Sequence, residues 1–204
     1  KVFRPAKPEG SAVLIMPGGA YQRVVLDKEG DETARRLAGA GVTAAVLVYR
    51  LPEDGWAAGW QAPLQDAQRA MRLIRSGRVA DRIDPGRIGV LGFSAGGNLA
   101  AALTLLEGPT YQPVDRADQV SSHPDFAALI YAAYLDGTGS KALLAGANAP
   151  APDLIASVTA KVPPVFLVHA ADDPSVPVEG SKRMYAALQA AGVTSELHVF
   201  PDGG

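Results

Sequence analysis

The sequence contains no cysteine, which excludes disulfide bonds, thiolate metal sites and a cysteine nucleophile. It also lacks an excess of either charge, since 19 lysine and arginine residues stand against 21 aspartate and glutamate residues. Its longest apolar run, from Phe126 to Leu135, is far shorter than the roughly 18 residues that a membrane-spanning helix requires. We therefore expect neither a nucleic-acid partner nor a membrane segment.

Histidine is also scarce. The three histidines, His123, His169 and His198, lie far apart in the sequence, and none belongs to an H-E-x-x-H motif or to another paired ligand spacing. We therefore expect no metal site and no cofactor.

The 204 residues, 48% of them hydrophobic, suffice for one domain with a substantial core, and we expect a single domain over residues 1–204. Lys1 is not an initiator methionine, and the final HVFPDGG stops within a loop. We therefore expect further residues at both ends. A cytoplasmic and an exported protein are both compatible with this composition.

Short apolar runs alternate with amphipathic runs along the chain. The apolar runs predict strands buried on both faces, and the amphipathic runs predict helices. Predicted strands cover residues 11–17, 42–50, 87–93, 126–132, 163–170 and 194–200, and predicted helices cover 31–41, 63–77, 94–106 and 178–192. This alternation predicts an α/β fold with a mostly parallel sheet and helices on both faces.

Gly92-Phe93-Ser94-Ala95-Gly96 matches G-x-S-x-G between a predicted strand and a predicted helix. In that context a sharp turn projects the serine from the carboxyl edge of the sheet, and the flanking glycines avoid collisions. The helix N-terminus favours negative charge there. Ser94 is therefore a candidate nucleophile, and a serine that only caps the helix is the alternative.

The loop IMPGGAY, residues 15–21, directly follows the first predicted strand. In such a sheet this loop lies beside the serine turn and can direct backbone N–H groups at the oxygen of a tetrahedral intermediate. We predict an oxyanion hole made by the N–H groups of Gly19, Ala20 and Ala95. An ordinary turn is the alternative, whereas a dinucleotide loop would need the absent G-x-G-x-x-G motif.

The loop VHAADDPSVP, residues 168–177, follows a late strand and contains Asp172 and Asp173. Both aspartates follow the serine in the Ser-Asp-His order of this kind of fold. Such a carboxylate fixes the orientation and tautomer of a catalytic histidine. Either aspartate could have this role, and solvated turn residues are the alternative.

These motifs, in this order, resemble those of bacterial α/β-hydrolases of the acetyl-xylan-esterase-like group, relatives of dienelactone hydrolases and prolyl oligopeptidase catalytic domains. The resemblance covers nearly the whole chain. It implies an α/β-hydrolase fold and a serine esterase that acts on short-chain acyl esters, including acetylated carbohydrates. It also implies Ser94 as nucleophile, Asp173 as the acid and a histidine just beyond Gly204 as the base.

Two alternatives stay open beside the esterase. One is a peptidase of the prolyl oligopeptidase type, and the other is a non-catalytic binding protein if the histidine is truly absent. For His123, His169 and His198 we predict structural roles, because none stands at the position that the resemblance gives to the base.

Aromatic residues are few, at 6% of the chain, and three of them are candidates for substrate binding. Trp56 and Trp60 lie in a loop that could stack on sugar rings, and Tyr21 follows the predicted oxyanion loop. For the charged residues Arg50, Asp66 and Arg69 we predict structural ion pairs.

Overall fold

The computed structural model describes residues 1–137 and 152–203. Within them, seven strands form one sheet in the order β1-β3-β2-β4-β5-β6-β7. Only β1 is antiparallel to its neighbour, and the other pairs are parallel. The strands are β1 (Val2–Phe3), β2 (Ala12–Met16), β3 (Thr43–Val46), β4 (Ile88–Phe93), β5 (Phe126–Ile130), β6 (Val165–Ala170) and β7 (Ser195–Phe200). The predicted mostly parallel α/β sheet is confirmed.

The helices of the described residues follow the predicted positions within a few residues. They are α1 (Thr33–Gly39), α2 (Gln61–Arg75), α3 (Ser94–Leu105) and α4 (Glu179–Ala190). A π-helical segment, Leu26–Glu32, leads into α1, and short 3₁₀ turns cover Pro52–Asp54 and Arg116–Gln119. None of the helices in the described ranges combines the length and hydropathy that crossing a bilayer would require.

The sheet separates two apolar clusters. The larger cluster packs α2, α3 and α4 against one face and includes Leu14, Met71 and Leu167, all almost fully buried. The smaller cluster places Ala34 of α1 against Val13 and Ile15 of β2 on the other face. Because helices cover both faces, β2 is buried along its whole length, as its continuous apolar sequence predicts.

The predicted structural ion pairs are confirmed. Arg50 contacts Asp66 at 2.8 Å, and Arg69 contacts Asp115 at 2.9 Å. The hydrogen bond from the Arg69 guanidinium, together with that from the N–H of Ala117, lowers the pKa of the Asp115 carboxyl to about 2. These pairs join α2 to neighbouring loops.

Candidate active site

Ser94 stands at the turn between β4 and α3. Its φ of 51° lies in the left-handed region, which side chains rarely adopt without a functional reason. A Cβ atom on Gly92 would lie 2.2 Å from the carbonyl oxygen of Gly96, and a Cβ on Gly96 would lie 2.0 Å from the carbonyl oxygen of Met16. Glycine is therefore required at both positions for the turn to close.

We expect Gly96→Ala to destabilise the protein by about 1–3 kcal/mol or more, because the added methyl group meets backbone of β2 and cannot be accommodated by a side-chain rotation. The measurement is the free energy of unfolding in urea. Gly180→Ala in α4 is the matched control, since a Cβ there meets no atom within 4 Å. That control should gain about 0.5–1 kcal/mol from the better helix propensity of alanine. Equal stability of the two variants would contradict the close approach at Gly96.

A cavity of about 860 Å³ opens at the carboxyl edge of the sheet, where Ser94 lies. Its lining includes residues at or after the ends of five parallel strands, among them Gly19 after β2, Tyr131 after β5 and Ala170 at the end of β6. The carboxyl edge is where ligands bind in open α/β sheets. Ser94, Gly19, Ala20 and Asp173, predicted from separate motifs, all line this one cavity.

The predicted oxyanion loop is a tight reversal of the chain. Gly19 and Ala20 have φ values of 127° and 56°, and the carbonyl oxygen of Gly19 accepts hydrogen bonds from the N–H groups of Gln22 and Arg23. A Cβ on Gly19 would lie 2.3 Å from the carbonyl oxygen of Arg23. Glycine is therefore needed for this reversal, which keeps the loop at the wall of the cavity.

Ala95 is the residue after Ser94 in the first turn of α3 and is fully buried. The first N–H groups of a helix have no partner within the helix. The N–H of Ala95 is thus one of the groups that can serve an anion beside Ser94, together with those of Gly19 and Ala20. The role of all three as oxyanion donors stays a prediction.

Asp173 follows β6. Its Oδ1 accepts hydrogen bonds from the N–H groups of Ser175 and Val176, at 2.8 and 2.9 Å. Its Oδ2 lies 3.6 Å from Nε2 of His169, and its side chain is 11% exposed. One carboxylate oxygen is therefore held by the backbone. Of the two adjacent aspartates, Asp173 lines the cavity, whereas the exposed Asp172 is not among its lining residues.

His169 also lines the cavity, but its ring is held by protein groups. Nε2 lies 2.9 Å from the carbonyl oxygen of Val176, and Nδ1 lies 2.8 Å from Oγ of Ser181. Because a carbonyl oxygen only accepts, Nε2 carries the proton and Nδ1 accepts from the Ser181 hydroxyl. This geometry supports the structural role predicted for His169.

The other two histidines are not among the residues that line the cavity. Nε2 of His198 lies 2.5 Å from Oε1 of Glu196, and its ring packs against Phe166. The carbonyl oxygen of His123 accepts a hydrogen bond from Arg75 of α2. Their surroundings agree with the predicted structural roles.

The structure does not bring the three predicted substrate-binding aromatic residues to the lining of the cavity. Tyr21 is buried, with its hydroxyl donating to Asn98 at 2.8 Å and its ring edge against Tyr49. Trp60 lines a separate small cavity of about 20 Å³ with Tyr21. Trp56 is 45% exposed and stacks with the guanidinium of Arg50. All three side chains instead contact other residues of the domain, and their role in substrate binding stays a prediction.

Glu29 and Tyr131 also line the cavity, although no sequence motif predicts a role for either of them. Oε2 of Glu29 accepts a hydrogen bond from the N–H of Gly18 at 2.5 Å, and its Oε1 accepts from the hydroxyl of Tyr131 at 3.1 Å. Burial, and then the Glu29 carboxylate, raise the pKa of Tyr131 well above its usual value. The signal available in the sequence was Glu29-Gly30 shortly after the glycine loop, which is weak by itself.

Among residues 1–137 and 152–203, no group of three or more histidine, aspartate or glutamate side chains is arranged to hold a metal ion.

A family profile described as an alpha/beta hydrolase fold matches residues 13–204. Among curated proteins, an acetylxylan esterase from Xylanibacter ruminicola is 27% identical over 215 residues, which cover 98% of this chain and 42% of that protein. The chain thus spans less than half the length of this relative.

Two solved structures resemble the whole chain. The acetyl ester-xyloside bifunctional hydrolase from Caldicellulosiruptor lactoaceticus is 37% identical with a TM-score of 0.83, and the match covers 98% of this chain and 75% of that one. A thermophilic esterase from Thermogutta terrifontis with propionate bound is 25% identical with a TM-score of 0.81, and the match covers 98% and 76%.

Proposed function

The chain belongs to the α/β-hydrolase-fold family, and from this membership we propose that it is a serine-dependent carboxylic ester hydrolase for short-chain acyl esters. The observation that carries the proposal is Ser94 in its strained turn at the cavity, with Gly19, Ala20 and Asp173 in the same lining. The relatives named as esterases support the reaction class.

In the proposed mechanism, Oγ of Ser94 attacks the ester carbonyl while a base takes its proton, and a tetrahedral intermediate forms. The N–H groups of Gly19, Ala20 and Ala95 stabilise its oxyanion, each donor lowering the barrier by about 2.7–4 kcal/mol. The intermediate collapses by expelling the alcohol, which receives the proton, and an acyl-enzyme remains. Water, activated by the same base, then releases the carboxylic acid and free Ser94.

The proposed base is a histidine just beyond Gly204. Phe200, Asp202 and Gly203 line the cavity, so a residue that follows them closely would also lie near Ser94. Asp173 would accept a hydrogen bond from that histidine and orient its ring. The hydrogen bonds from Ser175 and Val176 hold the Asp173 side chain in place for this role.

For the substrate we propose acetyl and other short acyl esters of carbohydrates. The relatives named as an acetylxylan esterase and as an acetyl ester-xyloside hydrolase support this class. A cavity of about 860 Å³ is large enough for a small sugar ester, since ligand pockets typically measure about 300–1,000 Å³. The leaving alcohol would then be a sugar hydroxyl.

The test uses the full-length protein and three substrates: acetylated xylo-oligosaccharides, 4-nitrophenyl acetate and Gly-Pro-4-nitroanilide. We expect acetate release from the first two and no cleavage of the anilide. Selective cleavage of the anilide would instead establish a peptidase of the prolyl oligopeptidase type. No turnover of any substrate, together with no mass adduct after exposure to a fluorophosphonate, would establish a non-catalytic binding protein.

A further inference from the structure

The Glu29 carboxylate connects two walls of the cavity. Through Oε2 it holds the N–H of Gly18 in the loop after β2, and through Oε1 it holds the hydroxyl of Tyr131 after β5. In the sheet, β2 and β5 lie on either side of β4, which carries Ser94 at its end. Glu29 therefore links the loops on both sides of the proposed nucleophile.

Glu29 stands close to Ser94. A Cβ atom built on Gly18 would lie 2.9 Å from Cβ of Ser94 and 3.0 Å from Oε2 of Glu29, so both side chains border the same point. Glu29 belongs to the π-helical segment, a rare conformation that is frequent at functional sites. On the other side of the loop, the carbonyl oxygen of Pro17 accepts a hydrogen bond from Tyr49 at 2.6 Å.

The charge of Glu29 has no cationic partner within ion-pair distance among the described residues. The other charged groups of the cavity lining are Arg23, Asp173 and Asp202. Carboxylates thus outnumber cations around Ser94, and Glu29 adjoins the loop that would hold the oxyanion. The proposed N–H donors stabilise an oxyanion here, but a second carboxylate a few ångströms from Glu29 has no such donors and is disfavoured in an environment less polar than water.

We propose that Glu29 is a specificity-determining residue: held beside Ser94 by Gly18 and Tyr131, its carboxylate makes the site reject esters whose acyl chain ends in a carboxylate. This inference rests on the proposed ester hydrolase activity and narrows its substrates to esters with uncharged acyl groups. The same two hydrogen bonds make Glu29 a positioning residue for the oxyanion loop.

Two substitutions separate charge from position. In Glu29→Gln, the amide oxygen can accept from Gly18 while the amide N–H donates to a rotated Tyr131 hydroxyl, so the charge is lost and both contacts survive. In Glu29→Ala, both contacts are lost as well. Asp27→Asn removes the same charge from an exposed position of the same segment and is the matched control.

The substrates are ethyl butyrate and monoethyl succinate, which have acyl chains of equal length and differ by one carboxylate. Ethanol release gives kcat and KM for each in the full-length protein. We expect the wild type to prefer the butyrate by about tenfold or more in kcat/KM, and Glu29→Gln to reduce this preference by about tenfold. Asp27→Asn should keep the wild-type preference.

Glu29→Ala should additionally lower kcat for ethyl butyrate by about tenfold to a hundredfold with little change in KM, because a displaced oxyanion loop weakens transition-state binding. An unchanged preference in Glu29→Gln, with the wild type active, would overturn the inference and leave the esterase proposal standing. Absence of ethanol from both substrates in the wild type would instead overturn the esterase proposal itself.

Discussion

Replacing Ser94 by alanine is expected to reduce kcat for 4-nitrophenyl acetate by at least about 10⁴-fold, and by as much as about 10⁶-fold if the triad acts as one unit. The physical reason is that no other described hydroxyl combines a strained turn, a helix N-terminus and the cavity as Ser94 does. Any activity that remains would come from the backbone donors and from binding alone.

The measurement pairs steady-state kinetics with the intact mass after exposure to a fluorophosphonate. The wild type should gain one adduct per chain, and Ser94→Ala should gain none. Ser76→Ala is the control, because Ser76 is an exposed serine at the end of α2, and this variant should keep both the adduct and kcat. An adduct that survives in Ser94→Ala would place the nucleophile elsewhere.

Ser94 and its turn could be predicted from the sequence because their signal is local. The spacing of Gly92, Ser94 and Gly96 between an apolar strand and a small-residue helix describes one backbone turn completely, and the left-handed φ of Ser94 confirms that turn. The α/β-hydrolase fold and the resemblance to the acetyl-xylan-esterase-like group are likewise confirmed. The motifs that indicate the fold and the family are also local, since each lies within a short stretch of the chain.

Two predicted strands extend further along the chain than the strands of the structure, because tertiary contacts end the strands earlier. The strand predicted over 42–50 ends at Val46, and the Tyr49 hydroxyl beyond it binds the carbonyl oxygen of Pro17. The strand predicted over 126–132 ends at Ile130, and Tyr131 leaves it with a φ of 37° to bind Glu29. Apolar composition continues past both ends, so periodicity alone cannot locate them.

Glu29 and the aromatic residues show where sequence reasoning fails for a site. Glu29 reaches Gly18 and Tyr131, which are 11 and 102 residues away in the chain, and no local pattern encodes such a meeting. Conversely, Trp56 and Trp60 are in a loop of suggestive composition, but Trp56 contacts Arg50 and Trp60 lines a separate small cavity. Whether a side chain lines the cavity therefore depends on contacts between residues that are distant in the sequence.

Asp173→Asn is expected to lower kcat for 4-nitrophenyl acetate by about 10⁴-fold at neutral pH, without unfolding the protein. The asparagine carbonyl can keep the hydrogen bonds from Ser175 and Val176 that now hold Oδ1. Its amide group, however, replaces Oδ2 by a donor. A histidine that meets a donor there adopts the wrong tautomer and can no longer take the proton of Ser94.

Asp172→Asn is the matched control, because it makes the same change one residue earlier, at an exposed position outside the cavity lining. It should keep wild-type kcat, and thermal unfolding should show both variants folded. Loop position alone leaves both aspartates as candidates; the resemblance favours Asp173, and Asp173 is the one that lines the cavity. If Asp172→Asn lost activity and Asp173→Asn kept it, the acid would be Asp172.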